Sequence, residues 1–160
     1  MKFEEMTSVL SARYPLSSKE DITPLLQDMK NAVAFCEAAW YGRVHEDGKA
    51  EQLFGYISRA LRLAQAAGVE VTSVDEHLHA WPLSREQLKH EVIDHVTALS
   101  DATKSVGDIF ADVPNKWASY PAAHMHLIQA IQRAILLAGS LQLSSSSFEA
   151  WLRPTEQAAA

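Results

Sequence analysis

Apolar side chains recur along this chain at steps of four and three, the spacing that keeps them on one face of an α-helix. After Pro15 they fall at Ile22, Leu26, Met29, Val33, Cys36 and Trp40, predicting a long helix over 18–44. A second helix is expected over 49–67, with Leu53, Phe54, Ile57, Ala60, Leu61 and Ala64 inward and Gly68 as its stop. Leu88, Val92, Val96, Leu99, Thr103, Val106 and Phe110 mark a third over 85–111. Leu127, Ile128, Ile131, Ala134, Ile135, Ala138 and Leu141 mark a fourth over 122–143.

Ser17-x-x-Glu20 and Ser84-x-x-Gln87 read as capping boxes, in which the serine accepts from a free helix amide and the acid or amide reaches back. Phe3, Met6, Val9 and Leu10 predict a short amphipathic helix over 1–13, and Phe148 to Leu152 a short closing one. The polar run 45–49 reads as a turn, and 112–121, with Pro114 and Pro121, as a loop. Val69 to Ser73 is β-prone with no sheet to join, so it reads as a linker. Residues 75–80 add one helical turn, 144–147 form a loop and 154–160 a flexible tail. Four long helices on short turns give an all-α antiparallel bundle, expected as one domain over 1–160.

The pattern occurs twice. Leu53-x-x-x-Ile57-x-Arg59-Ala60-x-x-Leu63-Ala64 returns 74 residues later as Leu127-x-x-x-Ile131-x-Arg133-Ala134-x-x-Leu137-Ala138. Thr23/Thr97, Leu25/Leu99 and Lys30/Lys104 share that offset. Tyr14-Pro15-Leu16-Ser17 returns as Trp81-Pro82-Leu83-Ser84 at an offset of 67, so the second copy holds seven extra residues after this motif. The half-repeats span 14–68 and 81–143. Two readings stay open: two copies of one helical hairpin about a pseudo-two-fold, or convergent helix patterning.

Net charge is −6, with −2 in residues 1–74 and −4 in residues 75–160, and no basic footprint for nucleic acid. One cysteine allows no internal disulfide, and no apolar run reaches the roughly 18 residues of a membrane span. The start lacks a basic-then-apolar leader, so a soluble, cytoplasmic protein is expected. Cys36 lies on the apolar stripe and reads as a core thiol.

The densest polar cluster is His90-Glu91-x-x-Asp94-His95. His90/Asp94 and Glu91/His95 are four apart, so each pair would share a helix face and could hold a divalent metal or exchange protons. Glu91 and Asp94 form E-x-x-D, which resembles the second acidic motif of the all-α nucleoside triphosphate pyrophosphohydrolases. That resemblance implies magnesium or manganese held against a triphosphate by carboxylates on adjacent helices. The family's first motif, E-x-x-E, has no counterpart in 56–63, which carries two arginines and no acid; Glu37 or Glu51 would have to supply part of it. Zinc is conceivable where His77 and His79 meet His90 and His95, although an i, i+2 pair diverges on a helix.

Arg59 and Arg133 are the repeated charges on helices otherwise short of charge. Each reads as an internal ion pair, with the regions of Asp28 and Asp101, or as half of a clamp for a small anion or a partner's carboxylates. Both helices are apolar on two sides, so the second side packs on other helices or on a partner. The leading expectation is therefore a non-catalytic helical interaction or regulatory protein that self-associates. The metal-dependent hydrolase and the small-anion binder are the alternatives.

Overall fold

The computed structural model describes residues 2–16, 22–40, 48–81, 91–112 and 121–153, and their regular structure is entirely helical. In chain order the helices are α1 (Phe3–Arg13), α2 (Ile22–Trp40), α3 (Lys49–Ala67), α4 (Val71–His79), α5 (Val92–Asp112), α6 (Pro121–Ser140) and α7 (Ser145–Leu152). The protein is all-α, as its apolar period requires. Both capping boxes and the stretches 41–47, 113–120 and 154–160 lie outside the described residues. No helix among the described residues is long and apolar enough to cross a membrane.

The four long helices close a ring: α2 packs on α3 and α5, and α6 packs on the same two. Across the ring, the Tyr56 hydroxyl of α3 meets Thr103 Oγ1 of α5 at 2.6 Å. Thr103 gives its own proton to the Leu99 carbonyl at 2.7 Å, so Tyr56 is the donor between them. Both residues are buried, and burial pushes the Tyr56 phenol upward, so it stays a neutral donor at every ordinary pH.

α3 is buried on nearly every side, with consecutive buried residues from Leu53 to Ser58. Its second apolar side is covered within the chain by α1 and α7. Tyr14 donates to Ser58 Oγ at 2.7 Å, because Ser58 already donates to the Gly55 carbonyl. The Phe3 amide is bound by Asp75 of α4 at 2.8 Å, and Arg153 reaches the Glu5 carbonyl at 2.6 Å.

Two readings of the sequence are corrected. Residues 69–73 are not a linker: Gly68 turns left-handed (φ 74°), Val69 is buried and α4 starts at Val71. Burial of Val74 and Leu78 overrides the weak helix preference of this β-branched stretch. Residues 144–147 are not a loop either, because Ser144 accepts the Ser147 amide at 3.1 Å as the N-cap of α7. Pro121, expected in a loop, opens α6, where its fixed φ and missing N–H cost nothing.

The correspondence at 74 residues runs further than the matched letters. Ile22/Val96, Leu25/Leu99, Met29/Thr103, Leu53/Leu127, Ile57/Ile131, Ala60/Ala134 and Ala64/Ala138 are all buried pairs. Gly68 and Gln142 both take positive φ, at 74° and 62°. The amides after them close the same cap, Val69 on the Ala64 carbonyl at 3.0 Å and Leu143 on the Ala138 carbonyl at 2.8 Å. At this offset α4 falls on α7, and Val74/Phe148 and Leu78/Leu152 are buried in both. Their contacts are reciprocal: α7 packs on α3, and α4 packs on α6.

Candidate functional site

Of the polar cluster His90-Glu91-x-x-Asp94-His95, the structure describes Glu91, Asp94 and His95. The third helix was expected from 85; residues 85–90 lie outside the described residues, and α5 runs from Val92 with the Glu91 carbonyl accepting the His95 amide at 3.4 Å just before it. His95 is buried, whereas Glu91 and Asp94 are exposed; His90 lies outside the described residues. Among the described residues no three His, Cys, Asp or Glu side chains gather as a metal would need. Glu37 lines a different groove, with Lys30, Lys104 and Asp108 between α2 and α5. Among the described residues no second acidic pair gathers with Glu91 and Asp94. His77 and His79 sit on helical α4, where they diverge; His77 is half-buried and burial lowers its pKa.

The two arginines differ in their surroundings. Arg59 Nε lies 3.4 Å from Asp28 on α2, the partner expected from the sequence, and its guanidinium sits 5.1 Å from the Tyr14 ring centroid. Arg133 is exposed and, among the described residues, makes no ion pair with Asp101 or any other acid. The described cavities are lined by neither arginine. This geometry gives no support to a shared anion clamp.

Cys36 is a core thiol. Burial raises its pKa to about 11, with Glu37 adding to the rise and Lys49 opposing it. At pH 8 the folded chain therefore holds roughly a hundredfold less thiolate than an ordinary cysteine. Iodoacetamide should label Cys36 promptly in denaturant and very slowly in buffer, read by mass spectrometry; equal rates would contradict its burial.

What the structure does assemble is an aromatic seat at one end of α3. Trp81 is buried with its ring centroid 6.5 Å from Phe54 and 5.8 Å from Phe148. Its Nε1–H donates to the Leu143 carbonyl at 2.9 Å. Phe54 also meets Phe148 at 5.6 Å and Trp151 at 6.1 Å, and the Arg13 guanidinium lies 3.9 Å from the Trp151 ring centroid.

A groove borders part of the corresponding place in the second half. Val69, Glu70, Ser73, Pro121, His124, Met125 and Ile128 line a groove of about 420 Å³ between the starts of α4 and α6. Val69 and Ile128 correspond at the 74-residue offset to Leu143 and Phe54 of the seat, whereas Val74 and His77, the counterparts of Phe148 and Trp151, do not line the groove. Val71 (41% exposed) and Met125 (56%), on these same helices, are the large apolar residues left exposed among those described. Sequence reading passed over both: Val71 was assigned to a linker, and Met125 lies off the apolar stripe of its helix. A methionine on the solvent side between two histidines was the available signal.

Comparison with protein-family models, with curated proteins and with solved structures finds no match to this chain.

Proposed function

We propose that this chain is a non-catalytic helical interaction protein whose contact surface is the face shared by α4 and α6. The observation that carries this reading is the coincidence of the exposed Val71 and Met125 with the open groove beside them. Exposed apolar side chains gathered at a recess favour burial against another polypeptide. The second side of α3, which suggested self-association from sequence, is occupied by α1 and α7. A second copy would therefore meet this chain through α4 and α6.

The groove and the protruding Met125 belong to one face, so two copies can exchange knob for recess about a two-fold. Sedimentation velocity over a wide concentration range should show reversible dimerisation. Met125→Glu should shift the equilibrium to monomer by tenfold or more, on the order of the loss from burying an unpaired charge at an interface. Its melting temperature should hold, since Met125 is a surface position. A strict monomer at every concentration ends the self-association reading and leaves the face to a different partner.

A further inference from the structure

We propose that the α4–α6 groove is a receptor for a tryptophan side chain presented by a partner segment that carries a basic residue beside it. This rests on the interaction reading above and names the ligand class for its face.

The molecule contains an occupied version of the site. In the first half Trp81 fills the niche between α3 and α7, packs on Phe54 and donates its indole N–H to the Leu143 carbonyl. In the second half Ile128 and Val69, the counterparts of Phe54 and Leu143, border the open groove. The Val69 carbonyl accepts no hydrogen bond among the described residues, although its counterpart at Leu143 is the acceptor for Trp81. An apolar recess with one unmatched carbonyl at its edge is what an indole satisfies, with a flat apolar body and a single donor.

At the 74-residue offset the position of Trp81 is not aromatic in the second half. Trp81 follows α4 directly, and its counterpart at the 74-residue offset is Thr155, just past α7. The seven residues from Pro154 to Ala160 contain no aromatic. The charge at the rim also differs between the halves: Ser144 beside the filled seat is replaced by Glu70 beside the open groove. No lysine or arginine lines the groove, so its fixed charge is negative and calls for a cation on the incoming segment.

The test uses a dye-labelled short peptide carrying Trp followed by Lys, read by fluorescence anisotropy against the full chain. Two controls replace Trp by Leu, or Lys by Glu. Saturable binding is expected, weakened about tenfold or more by the Leu control, since both the buried ring area and the N–H bond are lost. Glu70→Lys should weaken the Trp-Lys peptide and restore the Trp-Glu peptide, a reversal that misfolding cannot produce. Equal binding of the Leu and Trp peptides, both lost in Met125→Glu, overturns the tryptophan assignment while the interaction face survives. No binding of any peptide, with a chain that stays monomeric, overturns both. Because a second copy would use the same face, the Trp-Lys peptide should also dissociate the dimer; a dimer that saturating peptide leaves intact overturns the tryptophan assignment.

Discussion

Phe54→Ala should destabilise the folded chain by about 3–5 kcal/mol, the largest single-residue effect expected here. Phe54 is buried and stands at the centre of the aromatic seat, in ring contact with Trp81, Phe148 and Trp151. Those rings come from α7 and from the stretch after α4, so truncation opens a void between elements rather than within one helix. Collapse into that void is resisted because Trp81 is tied to the Leu143 carbonyl. The loss should appear as a lower urea midpoint with unchanged slope, together with faster hydrogen exchange in α7. A change below about 1 kcal/mol would mean that the seat repacks freely, contrary to the density of protein interiors.

The second large effect depends on the direction of a proton. Because Tyr56 donates to Thr103, the two deletions are unequal. Thr103→Val leaves a buried phenol with no acceptor and should cost about 1–3 kcal/mol. Tyr56→Phe removes that donor and leaves Thr103 still bonded to Leu99, so it should cost less, about 0.5–1.5 kcal/mol. Adding Tyr56→Phe to Thr103→Val should recover part of the loss, because an apolar pair of the same shape leaves nothing unsatisfied. A double-mutant cycle by urea denaturation reads this directly. Additive losses would show that the hydroxyl of Tyr56 has another acceptor.

The fold was legible where packing follows sequence period. α3 was expected over 49–67 and runs Lys49–Ala67, because a regular apolar stripe and Gly68 define its body and its end. The errors came where tertiary contacts choose among weak local preferences. The β-branched start of α4 is helical because Val74 and Leu78 find α1 and α6 to bury against. The expected start of α5 lies outside the described residues, and its body runs Val92–Asp112. The fourth helix was carried to 143, but Gln142 turns it off at Ser140 with a left-handed φ that sequence assigns readily only to glycine.

The candidate site was less legible than the fold. Charged clusters stand out in a sequence, and they directed attention to Glu91, Asp94, Arg59 and Arg133. Exposure is a property of packing, so the open groove at Met125 and Ile128 could be found only once α4 was seen to be a helix lying on α6. The two halves of the sequence differ at the groove. Ile128 stands where Phe54 stands in the first copy, and Thr155 where Trp81 stands.

The reciprocal placement of α4 on α6 and α7 on α3 carries a consequence for how the chain holds together. The last helix of each sequence half packs on a long helix of the other half, so the two halves share one core. In such an arrangement the joining segment sets the effective concentration of the halves rather than their contacts. Pairing of the halves is then intramolecular, so it takes no second chain and does not weaken on dilution.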